Sequence, residues 1–152
     1  PIVEPVSRVP ERMYAPDQLE SELHIEQIHT ALILGIKDYF QKMGFKKAIL
    51  GSSGGIDSAV TLALACEALG AQNVRSILMP SPYSSEHSVN DAVELSKNLG
   101  NPYDIIRIDA VYQSFLETLQ PIFQDAPFSL AEENIQSRTR GNLLMGIANK
   151  FG

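Results

Sequence analysis

Lys47-Ala48-Ile49-Leu50-Gly51-Ser52-Ser53-Gly54-Gly55-Ile56-Asp57-Ser58-Ala59-Val60 decides how the rest of this 152-residue chain is read. It opens on a short apolar run and passes through a glycine- and serine-rich turn. Helical spacing then extends from Ala59 to Leu69, where Gly70 supplies a stop. A strand that turns through glycines into a helix marks the place where open α/β sheets bind ligands, at the carboxyl ends of their strands. Gly51, Gly54 and Gly55 allow backbone conformations closed to other residues and let amide groups approach an anion. Ser52, Ser53 and Ser58 add hydroxyl donors, and the helix that follows points its positive end and unpaired N–H groups at the same spot. These features together describe a phosphate cradle. Asp57 at its mouth would repel phosphate unless a cation lay between them, so it implies Mg²⁺ bridging the carboxylate and phosphate oxygens. The chain has no G-x-x-x-x-G-K-[ST] and no G-x-G-x-x-G, which excludes a P-loop and a dinucleotide fingerprint. The competing structural reading is a glycine-rich turn with Asp57 as an ordinary helix N-cap.

Downstream the pattern alternates. Val74 to Met79 reads as a second strand closed by Pro80, and Ser84 to Leu99 as a helix stopped by Gly100. Ser84, Ser85 and Glu86 start and cap that helix. Tyr103 to Ile108 reads as a third strand, and Asp109 is placed to cap a helix from Ala110 to about Phe123. Ser129-Leu130-Ala131-Glu132 is a capping box, after which a last helix runs to about Lys150. Upstream, Leu23, Ile25, Ile28, Leu32, Ile36, Tyr39, Phe40 and Met43 recur at helical spacing over Leu19–Met43, a helix expected to cover one face of the sheet. His24 and His29 fall on different faces of it and do not suggest a metal pair. Strands separated by helices at this interval specify an α/β fold: a doubly wound parallel sheet with helices on both faces. Residues 1–18, with prolines at 1, 5, 10 and 16, read as an extended arm or linker before a domain beginning at residue 19.

The overall balance, 12 basic against 18 acidic residues with a pI near 5.0, argues against nucleic acid as a partner, because such binding rests on Lys and Arg neutralising phosphates. No apolar run reaches the ~18 residues of a membrane span, so no membrane association is expected. Cys66 is the single cysteine, which excludes an internal disulfide and a cysteine-rich zinc site. Its position on the apolar face of the helix after the loop makes it a small buried hydrophobe rather than a nucleophile. A soluble, cytoplasmic domain is expected.

The Ser53-Gly54-Gly55-Ile56-Asp57-Ser58 turn resembles the SGGxDS loop of the ATP pyrophosphatases, which share an adenine nucleotide alpha hydrolase-like fold. Two further segments narrow the resemblance. Leu78-Met79-Pro80-Ser81-Pro82-Tyr83-Ser84-Ser85-Glu86 follows the second strand, and Glu132-Glu133-Asn134-Ile135-Gln136-Ser137-Arg138-Thr139-Arg140-Gly141-Asn142-Leu143-Leu144-Met145 fills the last helix. Both are similar to NAD synthetases, specifically the synthetase domain of the glutamine-dependent form. The leading Leu32-Ile33-Leu34-Gly35-Ile36-Lys37-Asp38-Tyr39-Phe40 is similar to that form as well.

The resemblance implies ATP and Mg²⁺ as cofactors and deamido-NAD, with ammonia or glutamine, as substrates. ATP is split between the α and β phosphates, and the nicotinic carboxylate is activated as its adenylate. It implies ATP binding by Gly51, Ser52, Ser53, Gly54, Gly55, Ile56, Asp57, Ser58 and Met79, with Asp57 also as the metal ligand. Asn134 and Arg138, four apart on one helix face, match the segment that contacts deamido-NAD. Arg140 keeps a structural reading, and for Met79 the alternative of a strand-end core residue stands. Positioning and charge stabilisation carry this chemistry, so no catalytic nucleophile is expected.

Other ATP pyrophosphatases such as GMP synthetase, and a non-catalytic nucleotide-binding module, are the competing readings. A homo-oligomer, with a glutaminase domain elsewhere in a longer chain, also follows from the resemblance. Only three strands are visible, and the chain runs from Pro1 to Gly152 without an initial Met. The expectation is therefore an incomplete portion of the domain, continuing beyond residue 152 and inactive when isolated.

Overall fold

The computed structural model describes residues 22–151. The arm expected over residues 1–18, and the expected helical residues 19–21, lie outside the described residues. Helix α1 (Glu22–Met43) leads into strand β1 (Ala48–Ser52), helix α2 (Ile56–Leu69), a single 3₁₀ turn, strand β2 (Val74–Leu78), helix α3 (Glu86–Leu99) and strand β3 (Tyr103–Ile105). Helices α4 (Asp109–Phe123) and α5 (Leu130–Phe151) follow. The strands form one parallel sheet in the order β1-β2-β3, in register from Ala48↔Val74 to Ser52↔Leu78 and from Ser76↔Tyr103 to Leu78↔Ile105. Each parallel step needs a crossover, and α2 and α3 provide the two.

Strand period sends neighbouring residues to opposite faces, and each face has its own core. On one, Leu62 and Cys66 of α2 bury against Val74, with Ala48, Leu50, Leu95 and Leu99 packed around them. On the other, Ile77, Met79 and Ile108 are covered by Leu143, Leu144 and Ile147 of α5, together with Ile49. The sheet is thus wound on both sides, as the strand–helix alternation requires. Between β2 and α3 runs a buried polar relay. Asn101 Nδ2 donates to Ser76 Oγ (3.1 Å), Ser76 Oγ to Ser96 Oγ (2.9 Å), and Ser96 Oγ to the Ala92 carbonyl (3.0 Å). A continuous chain of donors satisfies hydroxyls that would otherwise be costly to bury.

Several boundaries differ from the sequence expectation. Helix α1 packs chiefly on α2 rather than over the sheet, with His29 Nε2 3.0 Å from Glu67 Oε2 joining them. Helix α2 starts at Ile56, with Gly55 as its N-cap; Asp57 lies inside the first turn and is not the cap. Strand β3 ends at Ile105, although Ile106 N–H still donates to Leu78 O (2.8 Å) and Ile108 N–H to Pro80 O (3.1 Å). Asp109 is also not a cap: Ile108 takes that position, and the Asp109 carboxylate accepts from Arg107 Nε at 2.7 Å.

Capping worked as read at two other helices. Ser85 Oγ accepts from Ser88 N–H (3.2 Å) at the start of α3. At α5, Glu132 Oε2 accepts from Ser129 N–H (2.7 Å) while Ser129 Oγ accepts from Ala131 N–H (3.2 Å).

Candidate nucleotide site

The site is built where β1 ends. Ser53 and Ser58 close the loop on itself. Ser58 Oγ donates to Gly55 O (2.9 Å) and lies 3.2 Å from Ser53 Oγ, and it accepts from Ser53 N–H at 3.2 Å. Gly55 N–H in turn donates to Ser53 Oγ at 3.2 Å. These two hydroxyls brace the loop. The donors left over are the backbone N–H groups at the start of α2, which have no intrahelical acceptor. Their partial positive charge is what an anion would meet.

Gly54 is required by a neighbour from elsewhere in the chain, and Gly51 is closely approached by two others. Gly54 has φ +81°, and a Cβ there would stand 2.2 Å from the Ser88 carbonyl oxygen of α3. At Gly51 a Cβ would press on Met79 Cε and Leu144 Cδ1, both at 3.3 Å. The loop thus lies flush against α3 on one side and α5 on the other.

Beside it opens a cleft of about 520 Å³. Gly51, Ser52 and Ser53 from the end of β1 and Leu78, Met79 and Pro80 from the end of β2 form its base. The loop before α3 adds Ser84, α3 adds Ser88 and Val89, and α5 closes the far wall with Ser137, Arg140, Gly141 and Leu144. Ser52 is only 6% exposed, and its Oγ has no hydrogen-bond partner among the described residues. Met79 has both properties that its sequence position allowed: its side chain belongs to the α5-side core, and it lines the cleft.

The residues expected to bind ATP fall in two groups. Gly51, Ser52, Ser53 and Met79 line the cleft. Gly54, Gly55, Ile56, Asp57 and Ser58 continue from it into the first turn of α2, where Ile56 and Asp57 are exposed. Asn134 and Arg138 are exposed on α5, and neither lines the cleft.

Arg140, read from the sequence as structural, does line it, and its Nε donates to the Met79 carbonyl at 3.0 Å. Burial lowers its pKa from the ordinary arginine range. The signal that could have grouped it is helical spacing, which puts Ser137, Arg140, Gly141 and Leu144 along one side of α5.

The donor set for a metal is narrow. Among the described residues no three His, Cys, Asp or Glu side chains gather, so Asp57 stands as a single carboxylate. One carboxylate beside a phosphate cradle suits Mg²⁺, which retains waters and takes its remaining oxygens from substrate phosphates. It does not suit a dedicated structural metal cage. Cys66 is buried, and desolvation raises its pKa, as befits a core residue. No helix among the described residues is long and apolar enough to cross a membrane.

Comparison with known proteins agrees with this architecture. The family model for NAD synthase matches residues 28–152. A glutamine-dependent NAD(+) synthetase of Synechocystis is 61% identical over 127 residues, covering 84% of this chain and 23% of the relative. The structure of glutamine-dependent NAD+ synthetase from Acinetobacter baumannii in complex with ADP superposes with a TM-score of 0.80 at 46% identity, covering 82% of this chain and 24% of that one. An NMN synthetase from Francisella tularensis is similar at a TM-score of 0.73 and 26% identity, covering 83% of this chain and 50% of its own. The chain spans about a quarter of the length of the glutamine-dependent relatives it matches. A parallel sheet wound on both faces, a glycine turn at the end of β1 and a family match over most of the sequence lead to one conclusion: this chain belongs to the NAD synthase family.

Proposed function

We propose that this chain supplies the ATP-binding part of a glutamine-dependent NAD synthetase, which amidates deamido-NAD to NAD through an adenylated carboxylate. The observation that carries the reading is the Ser53–Ser58 turn at the end of β1, beside the cleft that α5 closes, in a chain of this family. ATP enters with its phosphates against the Gly51–Ser58 loop and its base toward Met79. The N–H groups at the start of α2 meet the charge that develops on the departing pyrophosphate, at the place where preorganised donors are most effective. Asp57 is the residue that would hold Mg²⁺, which would supply positive charge to offset that of the leaving group.

The nicotinic carboxylate of deamido-NAD attacks the α-phosphorus, the bond between the α-phosphorus and the bridging oxygen breaks, and pyrophosphate leaves. Ammonia then adds to the acyl carbon, AMP departs with the oxygen that linked it, and a proton passes to solvent. No side chain acts as nucleophile, so this part of the enzyme works by positioning and charge. Asn134 and Arg138, one turn apart on α5, are the contacts for deamido-NAD, where an arginine fork suits a phosphate or carboxylate. Glutamine as the ammonia source, the glutaminase domain that frees it, a homo-oligomeric assembly and a cytoplasmic setting belong to the same proposal.

The test uses the full-length protein and a panel of acceptors. Deamido-NAD should yield NAD, AMP and pyrophosphate, and Asp57→Ala should cut that yield by about 100-fold or more. Near-normal pyrophosphate release by Asp57→Ala sinks the role given to the loop. Nicotinate mononucleotide and xanthosine monophosphate complete the panel. Preferred turnover of either would move the substrate assignment to an NMN or a GMP synthetase. ATP binding without AMP formation under any acceptor would make the chain a non-catalytic nucleotide module.

A further inference from the structure

We propose that Arg140 is a direct contact of the bound nucleotide, its free Nη donors holding a phosphate oxygen while its Nε bond to Met79 O fixes the plane of the fork. This deepens the nucleotide reading above and rests on it. The geometry comes first. The 3.0 Å bond from Arg140 Nε joins the wall of the cleft to its base and leaves the two terminal nitrogens without a hydrogen-bond partner among the described residues. Arg140 makes no ion pair among those residues, whereas Arg75 and Arg107 each have an aspartate partner. A half-buried guanidinium without a carboxylate is costly unless something anionic reaches it, and among the described residues it borders the cleft that Gly51, Ser52 and Ser53 also line.

Ser52, in the base of the same cleft, has a buried Oγ with no hydrogen-bond partner among the described residues. An unpaired cation on the cleft asks for an anionic ligand, and a nucleotide phosphate supplies one. The fork is already held on one edge, so little side-chain freedom remains to be lost when it binds. Arg138, by contrast, is exposed and does not line the cleft.

The experiment compares AMP with adenosine on the full-length enzyme, wild type against Arg140→Met, by calorimetric titration. AMP affinity should fall about 10- to 100-fold, the range for losing a charge-assisted hydrogen bond, while adenosine affinity stays within about twofold. Equal weakening of both ligands, or of neither, overturns the proposal. So does a fall in melting temperature with both affinities unchanged, which would make Arg140 a structural tie or the partner of a carboxylate from another part of the longer chain. If Arg140→Met does not fold, Arg140→Lys carries the same comparison: AMP should weaken several-fold relative to adenosine, and an unchanged ratio overturns the proposal. Wild-type failure to make AMP from ATP with any acceptor would instead bring down the functional reading itself, independently of the Arg140 result.

Discussion

At Gly54 the loop meets α3 so closely that any side chain would collide with the Ser88 carbonyl, and the left-handed φ adds a second reason for glycine. Gly54→Ala should cost at least about 1–3 kcal/mol in urea unfolding of the full-length protein, with nucleotide affinity falling alongside. A midpoint equal to wild type would mean that α3 shifts freely, and that the loop is not clamped. The need for glycine here was legible in the sequence; the cause was not, because the colliding atom belongs to another helix. The same limit explains Arg138 and Arg140. Spacing showed which polar residues share a face of α5, but only the packed sheet shows which face borders the cleft. Cys66 was readable throughout, since its apolar neighbours at helical spacing already placed it inside. Burial raises its pKa, which lowers the thiolate fraction at mildly alkaline pH. Native protein should therefore react with iodoacetamide far more slowly at this thiol than urea-unfolded protein does. Equal rates would show that α2 opens readily.

Among the elements, α5 carries the most weight, because it forms both a core face and the wall of the cleft. Its capping box was visible as Ser129 and Glu132 and formed as written. Hydrogen bonds from the Ser129 N–H and hydroxyl hold the Glu132 carboxyl below its ordinary range. A depressed folded-state pKa contributes stability above the unfolded value, and that contribution disappears as pH falls through the folded one. The stability gap between wild type and Glu132→Ala should accordingly be largest at neutral pH and close below the ordinary glutamate range. A gap independent of pH would assign the effect to packing instead.

Helix α4 offers the opposite case, a local strain no period could reveal. Gln124 follows its last turn at φ 50° and ψ −122°, a conformation that suits glycine. Gln124→Gly should stabilise the protein by about 1 kcal/mol in the same unfolding measurement, and a loss of stability would show that the side chain contributes more than the strain costs. Boundaries were the least legible feature. Gly54-Gly55 reads as loop on propensity, yet α2 begins immediately after Gly55 because the helix needs only an extended N-cap there.

For the molecule as a whole, strand alternation was enough to specify a parallel sheet wound on both sides, since each crossover helix needs an apolar surface to lie on. What it could not specify was the partner of α1, whose amphipathic pattern would suit a sheet or another helix equally. With α1 resting on α2, Ile25, Leu32, Tyr39 and Met43 remain exposed, and β1 has no further strand beyond it among the described residues. Apolar patches and open strand edges both favour association. Produced alone, residues 1–152 should scatter light as oligomers or aggregates at micromolar concentration, and a monodisperse monomer would show that these surfaces are quiet.

The two faces of the sheet also differ in where their cover lies along the chain. Helices α2 and α3 sit between the strands they cover, whereas α5 follows all three strands. During synthesis the first face has everything it needs before α5 leaves the ribosome, so the two sides of the sheet mature at different moments. Until α5 emerges, the glycine turn at the end of β1 stands beside a cleft that lacks one of its walls.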